Sequence, residues 1–265
     1  SISPPIHLTS TYVQDGIGKN KGFDYSRGNN PTRERLEKNI AALEGGYDAI
    51  AFSSGMAATT ALLQDLNQGD HIIISRNVYG GTYRMTTQVL SNHGLKFDFV
   101  DTTDTQKIKE AIRLETKWVF IETPTNPMLE VTDIAAVSKI CRDGNIKFAV
   151  DNTFMSPFGQ RPIEHGADCV MHSSTKFIGG HSDVLGGVLV AKDKELSDRL
   201  HFIQKSGGAI PSPFDAWLLL RSVKTLAMRV QKASDNAMVI AKYFDSHSKI
   251  AKTIYPGLES HSQHS

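Results

Sequence analysis

One lysine follows directly after a cluster of hydroxyl side chains. Residues 172–181 read HSSTKFIGGH, and they continue the apolar run ADCVMH at 167–172. A lysine at the end of a buried strand needs either a carboxylate partner or a chemical role. Lys176 could form a Schiff base with an aldehyde, while the hydroxyls of Ser173 and Thr175 bind a phosphate. An ion pair between Lys176 and a carboxylate is the alternative.

Three further strand ends carry residues that could bind the same ligand. The turn FSSGMAA at 52–58 enters a helix, where backbone N–H groups and the helix dipole favour a phosphate. Tyr79, which precedes two glycines, could stack on a planar ring. Asp151 follows the apolar run IKFAV at 146–150, so it needs a cation or a hydrogen-bond donor. Each feature also has a structural interpretation: a tight turn, a surface aromatic side chain, or an aspartate that caps a helix or loop.

Together, these features match the requirements of pyridoxal phosphate (PLP). That cofactor needs a lysine for its aldehyde, an acid beside its pyridinium nitrogen, an aromatic side chain over its ring and an anion site for its phosphate. The sequence places all of them at strand ends, where open α/β sheets bind ligands. The dinucleotide-binding pattern GxGxxG and the phosphate-loop pattern GxxxxGK[ST] are both absent. The combination therefore predicts a PLP site.

Short apolar runs alternate with helical stretches along the chain. Most of the runs are continuous, which is typical of strands covered on both faces. The pattern predicts an α/β fold, with a mostly parallel seven-stranded sheet flanked by helices. The predicted strands are 49–52, 71–75, 96–100, 117–121, 146–150, 167–172 and 186–191. The predicted helices include one that Asn30 caps and Pro31 begins, and the stretches 55–66, 82–92, 104–113 and 133–143.

Composition narrows the class of protein. The chain has 265 residues, of which 40% are apolar and 22% charged, with a net charge of +1. That balance argues against a nucleic-acid or membrane-surface partner. Cys141 and Cys169 lack metal-ligand or CxxC spacing, which indicates reduced thiols and no metal site. Residues 1–20 do not read as a signal peptide, so a cytoplasmic location is expected.

The chain also predicts three regions. Residues 1–30 are irregular and rich in Pro, Gly and Asn, which predicts an N-terminal arm. Residues 31–220 contain the alternating pattern and predict a PLP-binding large domain. From Pro213 the sequence is almost entirely compatible with helix, and residues 221–265 are expected to begin a small C-terminal domain that is incomplete here.

The sequence resembles the Cys/Met-metabolism family of PLP-dependent enzymes. This family includes cystathionine γ-lyase, cystathionine γ-synthase, methionine γ-lyase and the O-acylhomoserine sulfhydrylases. The resemblance implies the aspartate-aminotransferase-like, type I PLP fold. The stretches that match are YSRGNNPTR (25–33), SSGMAA (53–58), VYGGTYR (78–84), ETPTNP (122–127), VDNTFMSP (150–157) and HSSTKFIGGHSD (172–183).

The resemblance also implies roles for individual residues. Lys176 would hold the cofactor covalently, Asp151 would keep the pyridinium nitrogen protonated, and Tyr79 would stack on the ring. Asn126 would lie near the phenolic oxygen. The phosphate ligands implied are the backbone of Gly55 and Met56, the hydroxyls of Ser173 and Thr175, and Tyr25 and Arg27 from a neighbouring subunit. Tetramers built from tight dimers with shared sites are therefore expected.

Within the family, two segments are most similar to the γ-lyases: residues 208–229 and 254–264. Gly81 stands where methionine γ-lyases have an active-site cysteine, which disfavours that activity. The resemblance thus implies a carbon–sulfur lyase that cleaves cystathionine to cysteine, 2-oxobutanoate and ammonia. Cystathionine γ-synthase and O-acylhomoserine sulfhydrylase are the alternatives, followed by a non-catalytic homologue. The arginine that binds the substrate carboxylate in this family is expected beyond residue 265.

Overall fold

The structure is a computed structural model that describes residues 2–264. Ser1 and Ser265, the outer ends of the predicted arm and of the predicted C-terminal region, lie outside the described residues. The α-helices are α1 (Pro31–Glu44), α2 (Gly55–Leu63), α3 (Gly80–Gln88), α4 (Thr105–Ala111), α5 (Ile134–Asp143), α6 (Ser156–Gly159), α7 (Lys194–Gly207), α8 (Pro213–Val223) and α9 (Leu226–Asp245). Two short 3₁₀ helices span Leu90–His93 and Pro162–His165. The strands are β1 (Asp48–Phe52), β2 (His71–Ser75), β3 (Lys96–Val100), β4 (Thr116–Glu122), β5 (Lys147–Asp151), β6 (Cys169–His172) and β7 (Gly187–Ala191).

The seven strands form one sheet in the order β1-β7-β6-β5-β4-β2-β3. All of the predicted strands are present, with their ends shifted by only a residue or two. The pairs β2–β3, β2–β4 and β4–β5 are parallel, whereas β7 runs antiparallel to both β1 and β6. The predicted α/β fold with a mostly parallel sheet is therefore confirmed, and β7 is the exception to its direction.

The chain divides into two compact units. Unit 1 combines Ser1–Leu66 with Asp168–Lys224, and unit 2 combines Asn67–Ala167 with Thr225–Ser265. The sequence predicts different boundaries, at residues 30 and 220, and these boundaries stay a prediction. Unit 1 contains strands β1, β6 and β7, and unit 2 contains β2 to β5.

Both units have an apolar core around their strands. In unit 1, helices α1 and α7 pack against β1 and helix α2 packs against β7, with Leu36, Ile40 and Phe52 fully buried. In unit 2, the core joins β2, β4 and β5 to α5 through residues such as Val119 and Phe148, which are also fully buried. Each such side chain stabilises the fold by about 1.5–3 kcal/mol. The strand ends that carry the candidate residues are therefore firmly placed within each unit.

The N-terminal arm is irregular, as predicted, but it is tied to its own chain. Asn30 caps α1 by accepting hydrogen bonds from the N–H groups of Thr32 and Arg33. Its Nδ2 also donates to the His7 carbonyl (3.0 Å) and to the Tyr12 hydroxyl (2.9 Å). The predicted cap is thus confirmed, and the same side chain fixes the arm on α1.

The C-terminal stretch, which the sequence predicts to be almost entirely compatible with helix, forms two helices. α8 ends at Val223 and α9 begins at Leu226, although no glycine or proline marks the break. Helix α7 was not among the predicted helices; Asp193 caps it and Gly208 ends it in a left-handed conformation. Among the helices of residues 2–264, none is long and apolar enough to cross a membrane.

Candidate active site

The candidate lysine lies in a tight turn that follows β6 in unit 1. The Lys176 N–H donates to the Ser173 carbonyl (3.1 Å), and the Gly180 N–H donates to the Lys176 carbonyl (2.7 Å). The Lys176 side chain is exposed. Within the described part of the chain it forms no ion pair. The described residues 2–264 therefore do not contain the alternative ion pair between Lys176 and a carboxylate. The Lys176 amine is accessible to a ligand.

The N-terminus of α2, also in unit 1, offers two backbone N–H groups. Ser54 caps this helix: its Oγ accepts from the Ala57 N–H (3.1 Å), and its carbonyl accepts from the Ala58 N–H (3.1 Å). Among the residues described, neither Gly55 nor Met56 has an acceptor for its N–H, as expected in the first turn of a helix. These two predicted phosphate ligands therefore lie together at the positive end of the helix dipole.

Gly55 packs directly against Ser173. A Cβ atom at Gly55 would lie 2.8 Å from both the Cβ and the Oγ of Ser173. Strand β7 approaches as closely, since a Cβ atom at Gly187 would lie 2.2 Å from the Ser54 carbonyl oxygen. Only glycine fits at these positions. The structure thus brings the Ser173 turn and the N–H groups of α2 together; that they bind a phosphate stays a prediction.

The Thr175 hydroxyl has a different environment. Its Oγ1 donates to the Gly186 carbonyl (3.2 Å) and accepts from the Gly186 N–H (3.1 Å). Its single proton is therefore directed at the backbone, and it could donate to a phosphate only after reorienting. Phosphate binding by Thr175 stays a prediction. In the described residues this side chain ties the lysine turn to the residue that precedes β7.

Tyr25 and Arg27 lie together in the arm of unit 1. The Arg27 guanidinium carbon is 5.2 Å from the centre of the Tyr25 ring, an arrangement that favours a cation–π interaction. Arg27 also donates to the Lys205 carbonyl at the end of α7 (2.5 Å). Both side chains are exposed. Their predicted contact with the phosphate of a neighbouring subunit stays a prediction.

In unit 2, the candidate acid Asp151 is the last residue of β5 and is only 7% exposed. Its Oδ1 accepts a hydrogen bond from the Thr153 N–H (3.0 Å). The loop-capping interpretation from the sequence is thus present. Asp151 lies opposite Glu122 in the register of the parallel strands β4 and β5.

Glu122 is a residue that the sequence analysis missed. It is 5% exposed, and its two carboxyl oxygens accept hydrogen bonds from two predicted site residues. Oε2 accepts from the Tyr79 N–H (2.7 Å), and Oε1 accepts from the Asn126 N–H (2.9 Å). Burial and the charge of Asp151 raise the pKa of Glu122 to about 8, although both hydrogen bonds act to lower it. In unit 2 the structure therefore connects Tyr79 and Asn126 through one buried carboxyl group, which lies opposite Asp151 in the sheet register.

A signal for Glu122 was present in the sequence. It follows the apolar run KWVFI at 117–121, so it is an acid at the end of a buried strand, as Asp151 is. The side chains of Tyr79 and Asn126 are exposed. They can therefore contact a ligand while Glu122 holds their backbone N–H groups.

The chain is similar to known proteins over its whole length. The family described as "Cys/Met metabolism PLP-dependent enzyme" matches residues 1–265. A probable cystathionine γ-synthase of Herpetosiphon aurantiacus is 49% identical over 264 residues, which are 100% of this chain and 83% of the relative. The cystathionine γ-lyase of Bacillus subtilis (strain 168) is 46% identical over 264 residues, 100% of this chain and 70% of the relative. The crystal structure of metB from Corynebacterium glutamicum superposes with a TM-score of 0.97 at 47% identity, covering 98% of this chain and 68% of that one.

The residues present fit PLP, the cofactor of that family. The glycine-lined helix N-terminus beside Ser173, which a Cβ atom would fill, suits a phosphate. The accessible amine of Lys176 suits an aldehyde. The buried carboxyl of Asp151 suits a protonated ring nitrogen, and the half-exposed ring of Tyr79 suits stacking.

Proposed function

The chain belongs to the Cys/Met metabolism family of PLP-dependent enzymes, and on that premise we propose that it is a carbon–sulfur lyase acting on cystathionine. The reaction consumes one water and releases cysteine, 2-oxobutanoate and ammonia. The observation that carries the enzyme assignment is the accessible Lys176 beside the phosphate cradle of α2. The choice of a lyase is supported by the likeness to the Bacillus subtilis γ-lyase and by residues 208–229 and 254–264.

Lys176 is the residue that binds the cofactor and moves protons. PLP, when bound, supplies a ring that withdraws electrons from the substrate carbon that loses a proton. When it is not bound to the cofactor, the ε-amino group of Lys176 would accept a proton from the substrate Cα and deliver it to a neighbouring carbon. The exposure of the lysine allows this proton transfer.

Asp151 and Tyr79 act on the ring and on the leaving group. The Asp151 carboxylate favours a proton on the ring nitrogen, because opposite charges at close range stabilise each other. Tyr79 would cover the ring, and its hydroxyl would donate a proton to the sulfur atom that departs. Asn126, whose backbone is held by Glu122, would lie near the phenolic oxygen of the cofactor.

The phosphate would be bound by the N–H groups of Gly55 and Met56 and by the Ser173 hydroxyl, and also by Thr175 once its proton reorients. Tyr25 and Arg27 complete the site from a neighbouring subunit, because the arginine fork matches a phosphate with two parallel hydrogen bonds. The protein is accordingly a homo-oligomer, a dimer of dimers, that acts on a small amino acid in the cytoplasm.

A γ-replacement transferase is the second candidate. It is favoured by the 49% identity to a probable cystathionine γ-synthase. The two functions differ in what they do with cystathionine alone: the lyase forms 2-oxobutanoate, whereas the synthase makes cystathionine from cysteine and an activated homoserine.

The test is to incubate the PLP-saturated protein with cystathionine as the only substrate and to identify the products by mass spectrometry. We expect cysteine and 2-oxobutanoate, and neither from Lys176→Ala. Pyruvate with homocysteine would instead show cleavage at the β carbon. If the protein forms no product from cystathionine but makes cystathionine from cysteine and O-succinylhomoserine, that result would establish the transferase.

A further inference from the structure

The carboxyl group of Glu122 joins two loops that are far apart in the sequence. Tyr79 lies at the start of α3, in the loop after β2, and Asn126 lies in the turn after β4. One carboxyl group accepts from both backbone N–H groups, at 2.7 and 2.9 Å. Helix α3 has no side-chain cap of its own. Glu122 therefore fixes where Tyr79 leads into α3 and, at the same time, where the turn after β4 places Asn126.

The surroundings of Glu122 do not provide the usual reason for a buried acid. In the described residues its charged neighbour is Asp151, which is another acid. Burying a carboxyl beside a like charge costs free energy unless hydrogen bonds compensate. The two bonds that compensate both lead to residues with exposed side chains in the candidate site.

We propose that Glu122 is a positioning residue, which holds Tyr79 and Asn126 in the places where their side chains contact the cofactor. This inference rests on the proposed function, since it takes PLP as the ligand. Glu122 acts through the two backbone N–H groups and does not itself touch the reacting atoms.

Glu122→Gln is the informative variant, because glutamine has the same shape but only one acceptor oxygen. One of the two N–H groups then faces an amide donor. Leaving one buried donor unpaired weakens binding by about tenfold or more. Glu115→Gln is the matched control: it precedes β4 at the other end, and its carboxylate pairs at the surface with Lys96 (2.9 Å).

Two measurements, a PLP titration of the cofactor-free protein and a spectrum of the PLP-saturated protein, report positioning rather than turnover. The first is the dissociation constant of PLP, and the second is the visible circular dichroism of bound PLP, which requires a fixed ring environment. We expect Glu122→Gln to bind PLP at least about tenfold more weakly and to lose most of the visible signal, while Glu115→Gln matches the wild type. If far-ultraviolet circular dichroism shows that Glu122→Gln does not fold, Glu122→Asp replaces it. The aspartate side chain is too short to reach both N–H groups, so the expected results are the same.

A double-mutant cycle separates positioning from a general structural effect. In a Tyr79→Ala background, Glu122→Gln should weaken PLP binding less than it does in the wild type, because the ring to be positioned is gone. Equal losses in the two backgrounds, or wild-type affinity and dichroism in Glu122→Gln, would overturn the inference. A wild-type protein that binds no PLP at Lys176 would overturn the proposed function and the inference with it, which distinguishes the two failures.

Discussion

In unit 1 the candidate phosphate ligands are backbone N–H groups and small hydroxyls. In unit 2 the candidate site depends instead on buried carboxyl groups. Gly55 and Gly187 leave no room for a Cβ atom, so the shape of the phosphate cradle depends on missing side chains. Glu122 and Asp151 lie side by side at the ends of neighbouring strands, so the residues proposed to contact the cofactor ring depend on titratable groups. The comparison teaches that the first region should be sensitive to side-chain size and the second to charge and pH.

The largest effect is expected for Lys176 in unit 1, because no backbone group can replace the chemistry of its amine. Lys176→Ala should lower turnover by at least about 10³-fold, because both the covalent anchor and the proton carrier are lost. The N–H groups of Gly55 and Met56 remain, so PLP should still bind noncovalently. Turnover and PLP binding are measured on the same preparation.

The control for the lysine is Lys192→Ala, an exposed lysine that pairs with Asp168. Surface pairs of this kind contribute about 1 kcal/mol or less, so activity should be unchanged. Turnover by Lys176→Ala close to that of the control would remove Lys176 from the mechanism.

In unit 2 the next largest effect is expected at Asp151. Asp151→Asn keeps the shape but removes the charge that favours a protonated ring nitrogen, so kcat should fall by about 100-fold, with a smaller loss of PLP affinity. Steady-state kinetics and PLP titration measure the two losses. Asp143→Asn, at the exposed end of α5, serves as the control. Full activity in Asp151→Asn would show that this region does not act through charge.

The size dependence of unit 1 is tested by Gly55→Ala. The added Cβ atom would lie 2.8 Å from Ser173, which forces the cradle open, and PLP affinity should fall by about tenfold, as for an overpacked site. Gly207→Ala is the matched control, because a Cβ atom there has no heavy atom within 4 Å. Equal PLP affinities for the two variants, measured by titration, would contradict the close packing of Gly55 and Ser173.

The smallest effect concerns the pH dependence of unit 2. Because the pKa of Glu122 is raised from 4.5 to about 8, between these values the folded chain holds a proton that the unfolded chain releases. The free energy of unfolding should therefore decrease as pH rises from 4.5 towards 8, and this decrease should be missing in Glu122→Gln.

Thermal unfolding of the cofactor-free protein between pH 5 and 8 measures this effect as the difference between the wild-type and variant curves. Glu115→Gln should run nearly parallel to the wild type, since the carboxyl of Glu115 is partly exposed and its partner Lys96 lowers its pKa. If Glu122→Gln and the wild type run parallel as well, Glu122 is not a buried proton carrier.

The strands and most strand-end residues could be predicted from the sequence, because short apolar runs and the residues that follow them are local signals. Hydrogen bonds between residues that are separated in the sequence could not be predicted. Glu122 accepts from Tyr79, which is 43 residues away. Thr175 is engaged by Gly186, 11 residues later, and that contact changes what its hydroxyl can do. The break between α8 and α9 carries no proline or glycine, so only packing reveals it.

The arm shows the same limit. Its lack of periodicity was predicted, but the contacts of Asn30 with His7 and Tyr12 were not, because they join residues that no sequence pattern relates. The arm is thus partly ordered by its own chain. Its proposed role towards a second subunit rests on Tyr25 and Arg27, and mixing Arg27→Ala with Lys176→Ala chains tests it, since shared sites would restore activity in mixed dimers.

The central claim is that Lys176 binds PLP. The direct measurement is borohydride reduction of the PLP-saturated protein, followed by digestion and peptide mapping by mass spectrometry. The account predicts one phosphopyridoxyl group, on the peptide that contains Lys176. A label on another lysine, or no label on a protein that has been saturated with PLP, would contradict it.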